Sequence, residues 1–330
     1  MLEALNIENN YRDIIEDNLD NCLIESSLEL GKLYRGKVRD RYDLGEFYAL
    51  ITTDRQSAFD RVLATIPFKG QVLNQTGAWW FDKTKHILAN HVVEVPDPNI
   101  TIAKKCNPFP IEFIVRGYIT GSSSTSLWTV YNNGAREYCG ISFPDGLLKN
   151  EVLSTPIITP TTKETSHDRP ISADQIIKEK WMTSNHWEIA SSKALELFAE
   201  GQRVAAENGL ILVDTKYEMG LDQEGNVVLI DEIHTPDSSR YWLKDSYDQR
   251  IQKQQEPENI DKEFLRLWFK ENCDPYEDIE LPAAPKELII ELSARYIYLF
   301  EKITGQDFPF PDTQRKINKR LIENLSSYLK

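Results

Sequence analysis

Two acid-rich segments near residue 220 carry the side chains with the clearest chemical potential. The first is LILVDTKYEMG and the second is VVLIDEIHTPDSSRYW. Side chains alternate along an extended strand, so Asp214, Lys216 and Glu218 should share one face. Such a face suits charged ligands, although a half-exposed edge strand with solvated charges would show the same pattern.

The two segments read as a β-hairpin whose register decides which acids meet. We expect a loop of residues 223–226, with Asp222 facing Val227. This register places Glu218 opposite Asp231. Two carboxylates in that arrangement repel unless a cation lies between them, and Mg²⁺ prefers carboxylate and phosphate oxygens. The hairpin therefore predicts Glu218 and Asp231 as ligands of a nucleotide-bound Mg²⁺.

The residues after the hairpin add anion donors. Ser238, Ser239 and Arg240 offer hydroxyl, backbone and guanidinium groups that suit a phosphate or a carboxylate. The alternative for Arg240 is surface packing against Trp242 or Tyr241.

A second concentration of positive charge occurs near the N-terminus, in YRGKVRDRYDLG. The segment matches neither G-x-x-x-x-G-K-[ST] nor G-x-G-x-x-G, which excludes a standard P-loop and a Rossmann turn. A glycine hairpin that brings backbone N–H groups and Lys37 to a triphosphate is physically reasonable, and a purely solubilising hairpin is the alternative.

Two further segments hold candidate polar residues. In FIVRGYITGSSS, Arg116 ends an apolar strand, where its charge requires either a bound anion or an internal acid, and Ser122 follows within reach. In TTDRQSAFD, Asp54 and Asp60 lie among small polar residues that could simply cap a turn.

Composition limits the classes of function. The chain has 330 residues, 41% of them hydrophobic, and a net charge of -14, which argues against general nucleic-acid binding. The four cysteines are far apart and form no C-x-x-C pair, so a reducing cytosol fits best. No basic leader or membrane-length apolar run is visible, so we expect a cytoplasmic protein that does not bind membranes.

The elements that must position these residues form an α+β pattern rather than a regular βα alternation. We expect a lead-in helix within residues 10–30, a helix over 70–91, long ordered loops over 121–170 and a Ser-capped helix from SADQIIKEKW. A long amphipathic helix should end at Asn208 and Gly209, before the acid-bearing hairpin, and helices should dominate after about Lys244.

Eight motifs together resemble the SAICAR synthetase family. They are YRGKVRD, TTDRQSAFD, FKGQVLNQTGAWWF, VRGYITGSS, LSTPIITPTTK, HDRPIS, LILVDTKYEMG and LIDEIHTPDSSRYW, in that order between about Leu33 and Trp242. The length and the long central loop resemble the larger, single-function fungal-type form. One departure is GSSSTSLWTVYNNGAREYCG, which carries extra Ser and Thr and puts the closure of the substrate loop in question.

The resemblance implies an ATP-dependent ligase of purine synthesis that joins L-aspartate to carboxyaminoimidazole ribonucleotide, with ATP and Mg²⁺. It implies ATP-phosphate binding by Gly36, Lys37 and Arg39, adenine binding by the link Lys104 to Cys106, and magnesium binding by Glu218 and Asp231. It assigns Asp60 and Asp214 to the imidazole ribonucleotide, Lys216 to the reacting carboxylate and Lys163 to a closing loop. Arg116, Ser122 and Arg240 resemble the cradle of the ribose 5′-phosphate, beside Ser238.

The resemblance also implies an architecture, and two rival functions stay open. The implied fold has a smaller N-terminal antiparallel-sheet domain, residues 1–106, and a larger ATP-grasp-like domain, residues 107–330, with a helical C-terminal segment and the active site in the cleft between the domains. The protein should be a monomer or a small homo-oligomer. The rivals are a small-molecule kinase and a non-catalytic nucleotide-binding subunit.

Overall fold

The computed structural model describes residues 7–59, 61–123, 125–164, 168–260 and 263–328. By its internal contacts the chain divides into two compact units. Unit 1 comprises Met1–Trp79, Val92–Lys105 and Ile260–Lys330, and unit 2 comprises Trp80–His91 and Cys106–Asn259.

The described residues form helices distributed along the whole chain. They are α1 (Ile7–Glu16), α2 (Lys69–Thr84), α3 (Leu127–Asn132), α4 (Ala173–Lys178), α5 (Ser184–Glu207), α6 (Lys244–Gln252), α7 (Glu263–Asn272), α8 (Lys286–Thr304) and α9 (Ile317–Asn324). Ser172 caps α4 with a reciprocal capping box through Gln175, and α5 ends at Asn208 before Gly209, so both sequence predictions are confirmed.

The strands alternate with these helices irregularly, as an α+β fold requires. They are β1 (Leu33–Arg35), β2 (Arg39–Asp43), β3 (Phe47–Thr52), β4 (Arg55–Ala58), β5 (Arg61–Thr65), β6 (Val92–Asp97), β7 (Ile100–Lys104), β8 (Asn107–Tyr118), β9 (Glu137–Tyr138), β10 (Ile141–Ser142), β11 (Val152–Ile158), β12 (Thr161–Thr162), β13 (Leu210–Leu221), β14 (Val227–Ile230) and β15 (Ser239–Leu243).

Unit 1 is built on an antiparallel sheet with the strand order β1-β2-β3-β7-β6. Its strands alternate, so one face carries a buried apolar row. That row comprises Tyr42, Ala49, Ile51, Ile100 and Ile102. Leu321 of α9 and Leu325 close the same cluster, which means that residues from both ends of the chain complete this core.

The C-terminal helices belong to unit 1, which differs from the division at residue 106 that the sequence suggested. The reason is apolar packing: α8 carries a buried face that includes Ile290, Tyr296 and Ile297, and this face shares one core with Ile15 of α1. Arg12 also donates two hydrogen bonds to Glu287, at 2.7 and 2.9 Å. Helical periodicity predicted the C-terminal helices but did not indicate which part of the chain they pack against.

Unit 2 is organised by a six-stranded sheet in which the two longest strands, β8 and β13, are central neighbours. β14 and β15 pair with opposite halves of β13, whereas β11 and β12 pair with β8. Helix α5 packs on β13 through a buried side that includes Ala194, Leu197 and Phe198. The sheet therefore has one face covered by a helix.

The described residues between 121 and 170 are more structured than the predicted long loops. β11 joins the edge of the main sheet, and α3 forms a small separate core with Ile119, Leu127 and Tyr131. The Ser- and Thr-rich composition concealed this because the apolar residues are few and widely spaced.

A buried ion pair fixes the glycine hairpin of unit 1. Arg55 Nη2 lies 2.8 Å from Asp40 Oδ1, and the two side chains are only 9% and 0% exposed. The same guanidinium donates to the carbonyl oxygens of Gly36 at 2.9 Å and Lys37 at 3.0 Å. Asp40 in turn accepts from the backbone N–H and the hydroxyl of Ser26, each at 2.8 Å.

We expect Arg55→Leu to lower the free energy of unfolding by about 3 kcal/mol, because it leaves the buried Asp40 carboxylate uncompensated. The matched control is Arg35→Leu, which removes an exposed pair with Glu25 at 3.0 Å and should change stability by less than about 1 kcal/mol. Urea denaturation followed by circular dichroism measures both. Equal effects of the two substitutions would contradict a special role for the buried pair.

A buried histidine lies in the core of unit 2. His234 is fully buried, its Nε2 is hydrogen-bonded to the Tyr217 hydroxyl, and its ring meets Trp80 edge-on at 4.5 Å. Burial lowers the pKa of His234 to about 3, because a charged imidazolium would lose its hydration there. The side chain is therefore neutral in the folded protein at physiological pH.

This pKa predicts a pH dependence of stability. Between pH 6.5 and 3 the unfolded chain binds a proton that the folded chain does not, so stability is full above pH 6.5 and falls as the pH falls, by at most about 1.4 kcal/mol per pH unit. We expect the stability advantage of wild type over His234→Gln to shrink between pH 7 and pH 5 in urea denaturation. An unchanged difference over that range would contradict the lowered pKa.

Candidate functional site

One face of β13 gathers charged side chains. Asp214, Lys216 and Glu218 point to this face, whereas Thr215, Tyr217 and Met219 are buried on the other. The neighbouring strand β8 pairs Arg116 with Asp214, Ile114 with Lys216 and Glu112 with Glu218. Because directly opposite residues of antiparallel strands share a face, charges from both strands lie side by side.

The first group on this face is an acid cluster, which comprises Glu112, Lys163, Lys216, Glu218 and Asp231. Lys216 Nζ lies 2.5 Å from Glu218 Oε1, 3.3 Å from Glu112 Oε1 and 3.6 Å from Asp231 Oδ2. Lys163 forms an ion pair with Glu218 and lies 3.9 Å from Glu112. Three carboxylates thus share two ammonium groups.

The register of the hairpin differs by one residue from the sequence prediction. Leu221 pairs with Val227 and Glu218 with Ile230, so the loop has five residues and Glu218 is not opposite Asp231. The extra residue arises because Asp222 N–H donates to the Asn226 carbonyl at 3.0 Å, and Asp222 Oδ1 accepts from the Asn226 N–H at 2.8 Å. The predicted direct pairing was wrong.

Asp231 nevertheless lies in the acid cluster because the strand ends before it. Its φ is +66°, a left-handed conformation that interrupts the alternation after Ile230. The turn directs its carboxylate to Lys216. The alternation of side chains along a strand cannot predict this direction of the Asp231 carboxylate, since alternation holds only while the chain is extended.

Lys216 is held in its charged form. Burial acts to lower the pKa of Lys216, but the charges of Asp231, Glu218, Glu112 and Glu232 outweigh burial and raise the pKa well above its ordinary value. The lysine can therefore act as a fixed positive charge but not as a base at neutral pH.

The second group is an anion cradle, which comprises Arg116, Asp214 and Arg240 on three adjacent strands. Asp214 Oδ2 lies 2.8 Å from Arg240 Nη1 and 3.6 Å from Arg116 Nη1. Two guanidiniums around one carboxylate leave a net positive charge that suits one anion. Burial lowers the pKa of Arg116, and the charge of Asp214 acts in the opposite direction.

Thr159 contacts the cradle, and Ser238 lies in the turn that precedes Arg240. Arg116 Nε donates to Thr159 Oγ1 at 2.8 Å, and Thr159 is buried. Ser238 belongs to a turn in which its hydroxyl accepts from the Thr235 N–H at 3.1 Å. Arg240 Nη1 donates to Asp214 Oδ2, and the same carboxylate is the internal acid that lies beside Arg116. Ser122 is exposed in the segment after β8.

The remaining predicted residues belong to other segments of the chain. Gly36 and Lys37 are exposed at the tip of the β1–β2 hairpin of unit 1, and Arg39 is half-buried at the start of β2. Lys104 ends β7 in unit 1, and Cys106 begins the long second segment of unit 2. Asp60 lies outside the described residues.

Sequence reasoning missed Glu112 and Thr159. Glu112 was detectable, because IEFIVRG places it four residues before Arg116 and therefore on the same face of β8. Thr159 gave no such signal, since it follows β11 and meets Arg116 only through strand pairing.

The donor set fits a divalent ion shared with a nucleotide. Among the described residues, no group of three or more His, Cys, Asp or Glu side chains is arranged to hold a metal ion. Mg²⁺ bound with nucleotide needs only one or two carboxylates, because phosphates and water complete its shell. Glu218 and Asp231, which both approach the same lysine, meet that requirement.

Similarity to known proteins extends over nearly the whole chain. The SAICAR synthetase family model matches residues 32–282. The phosphoribosylaminoimidazole-succinocarboxamide synthase of Legionella pneumophila (strain Paris) is 62% identical over 308 residues, which cover 93% of this chain and 99% of that protein. The chloroplastic synthase of Arabidopsis thaliana is 59% identical over 320 residues, covering 96% and 78% respectively.

A solved structure shares the fold. The SAICAR synthase from Saccharomyces cerevisiae, in complex with SAICAR, superposes with a TM-score of 0.75 at 28% identity, covering 87% of this chain and 100% of that one. The predicted SAICAR synthase-like α+β fold is thereby confirmed. In the described parts of the chain no helix is long and apolar enough to cross a membrane. From the family match over residues 32–282 and the identity with curated relatives, the chain belongs to the SAICAR synthetase family.

Proposed function

We propose that the protein joins L-aspartate to the carboxylate of carboxyaminoimidazole ribonucleotide in an ATP-dependent reaction of purine biosynthesis. The observation that carries this proposal is the single charged face of β13, where Asp214 of the anion cradle and Glu218 of the acid cluster are separated by Lys216. Four residues of strand span about 13 Å. That length suits a phosphorylated substrate whose far end meets a nucleotide.

The chemistry explains why both groups are needed. A carboxylate is a poor electrophile, so a carboxylate oxygen first attacks the γ-phosphorus of ATP, which gives an acyl phosphate and ADP. The aspartate amine then attacks the acyl carbon and loses a proton, an amide forms, and inorganic phosphate leaves with the former carboxylate oxygen. Each step brings anions together, so fixed cations lower the barrier.

We assign the roles along the face. The cradle of Arg116 and Arg240, with Ser238 and Ser122, binds the ribose 5′-phosphate. Lys216 stays protonated and neutralises charge on the reacting carboxylate. Asp214 holds the two guanidiniums and contacts the imidazole ribonucleotide. Lys163, already paired with Glu218, belongs to a loop that helps to close the site.

The nucleotide roles are assigned to two groups of residues. Glu218 and Asp231 would hold Mg²⁺, which when bound would offset the charge of the phosphates. Gly36, Lys37 and Arg39 would contact those phosphates, and the link Lys104 to Cys106 would contact the adenine. Arg55 supports this by holding the carbonyl groups of Gly36 and Lys37, which fixes the shape of the hairpin.

The ligase reading is favoured over a kinase. A kinase needs a nucleotide site and one acceptor hydroxyl, and a partly buried two-arginine cradle in the same sheet as the acid cluster is not part of that requirement. The SAICAR synthetase family match also supports the ligase, and no comparison supports the kinase.

The cysteine pattern still favours a reducing cytosol, and a monomer or small homo-oligomer stays the expectation.

Substrate dependence tests the function directly. Release of ADP and phosphate should require carboxyaminoimidazole ribonucleotide, L-aspartate and Mg²⁺ together. Asp231→Asn should reduce turnover at least about 100-fold with an unchanged thermal midpoint, because one metal-binding carboxylate is lost. The matched control is Glu224→Gln in the exposed hairpin turn, which should keep wild-type turnover. Rapid ADP formation without aspartate would overturn the ligase assignment.

The cradle makes a separate prediction. Arg116→Gln should raise the KM for carboxyaminoimidazole ribonucleotide by about 10-fold or more, because a charged phosphate contact is lost, while the KM for ATP changes less than about twofold. Arg136→Gln, which removes an exposed pair with Asp145, is the control and should change neither constant. A rise in the KM for ATP alone would assign the cradle to the nucleotide instead.

A further inference from the structure

The acid cluster and the anion cradle are joined by one short segment. Residues 231–238, here the acid loop, connect the end of β14 to the start of β15. The loop begins with Asp231 of the acid cluster, and Arg240 of the cradle follows two residues after its end. Any shift of the middle of the loop would therefore move a group at each end.

The middle of the acid loop is buried, whereas its ends are not. Ile233, His234 and Thr235 are each 0% exposed, but Asp231, Glu232 and Ser238 are partly accessible. Thr235 also donates through its hydroxyl to Glu232, and its N–H donates to Ser238 Oγ at 3.1 Å. The loop is thus attached to the core by its centre and presents polar groups on either side.

His234 makes the most specific of these central contacts. Its Nε2 is hydrogen-bonded to the hydroxyl of Tyr217, and its ring lies against Trp80 at 4.5 Å with an interplanar angle of 90°. Its carbonyl oxygen accepts a hydrogen bond from the Tyr241 hydroxyl at 2.9 Å. Both ring and backbone of one residue are therefore held, by β13 and by β15.

The space for the imidazole depends on a glycine of α5. A Cβ atom at Gly201 would lie 2.4 Å from His234 Cε1 and 2.9 Å from Nδ1, which is too close for any side chain. Glycine normally weakens a helix interior relative to alanine. Here it permits the ring to approach the helix backbone.

The backbone of the loop also requires an anchor. Asp231 and His234 both have left-handed backbones, with φ of +66° and +50°. Residues other than glycine adopt this conformation rarely, and surrounding contacts must maintain it. The first of these two turns directs Asp231 to Lys216, so the geometry of the acid cluster depends on the loop keeping this shape.

We propose that His234 is a positioning residue that fixes the acid loop and thereby sets both the metal-binding acid Asp231 and the phosphate-binding Arg240. This inference rests on the proposed function, since it takes the roles of Asp231 and Arg240 from there. Tyr217 and Gly201 act with His234: the first supplies the hydrogen bond and the second supplies the space.

The alternative is that the imidazole only fills the core. Its Nδ1 has no hydrogen-bond partner among the described residues, so an apolar side chain would avoid a buried polar atom. Filling alone therefore does not account for the choice of histidine. The hydrogen bond from Nε2 to Tyr217 does, because it fixes the direction of the ring and hence of the backbone that carries it.

The experiment compares binding in wild type, His234→Leu, His234→Gln, Tyr217→Phe and Gly201→Ala. Free Mn²⁺ is followed by electron paramagnetic resonance in the presence of saturating ADP, and inorganic phosphate binding is followed by calorimetry. Val204→Ala, a buried truncation on α5, is the matched control for general destabilisation. The aspartate-dependent turnover of wild type is measured separately and tests the proposed function itself.

We expect His234→Leu and Gly201→Ala to weaken both Mn²⁺ and phosphate binding by about 10-fold or more, as losses of outer-sphere support commonly do. Tyr217→Phe should weaken both in the same direction, and His234→Gln, which can still hydrogen-bond Tyr217, should stay within about threefold of wild type. Val204→Ala should lower the thermal midpoint and leave both affinities unchanged.

The outcomes distinguish a failure of the anchoring proposal from a failure of the proposed function. The proposal is overturned if the folded variants keep wild-type affinity for both probes, or if only one probe is affected, since a shared anchor must act on both ends. Should His234→Leu fail to fold, Tyr217→Phe and Gly201→Ala decide by the same criteria. Absence of aspartate-dependent turnover in wild type would instead overturn the proposed function and leave the anchoring of the loop to be judged by the two affinities.

Discussion

The crowding of like charges on one face of β13 is the constraint on which the rest of unit 2 depends. Glu112 and Glu218 lie directly opposite each other across β8 and β13, an arrangement that destabilises a sheet unless cations compensate. Two charges about 4 Å apart interact by roughly 4 kcal/mol at the effective dielectric constant of a protein surface. Lys216 and Lys163 are placed to offset that repulsion.

In each unit a buried polar residue holds a polar loop in position through hydrogen bonds. In unit 1, Arg55 binds the carbonyl groups of the glycine hairpin and is balanced by Asp40. In unit 2, His234 anchors the acid loop through Tyr217 and Tyr241. A buried polar group without partners is costly, so a loop that satisfies such a group gains a unique position. Neither residue needs to touch a ligand for its loss to matter.

The sequence predicted which charged residues share a face of β13, but it did not predict how the strands and helices pair. Alternation along β13 correctly placed Asp214, Lys216 and Glu218 on one face, and the capping signals of α4 and α5 were confirmed. The hairpin register was wrong by one residue because side-chain hydrogen bonds of Asp222 lengthened the loop, and such bonds are invisible to hydrophobic patterning. The place of α8 beside α1 was also unpredictable, since periodicity identifies an apolar face but not the surface that covers it.

The wrong hairpin register shows that the alternation of side chains predicts their direction only as far as the strand continues. In a continuous strand, the observed pairing of Glu218 with Ile230 would send Asp231 to the opposite face and separate the two acids. The chain avoids this by leaving the strand at Asp231 with a positive φ, so backbone strain replaces pairing as the means of bringing the carboxylates together. Strain of this kind persists only where neighbouring residues are rigidly held. The fully buried residues 233–235 meet that condition, which is why the position of a partly accessible acid is decided by side chains in the core.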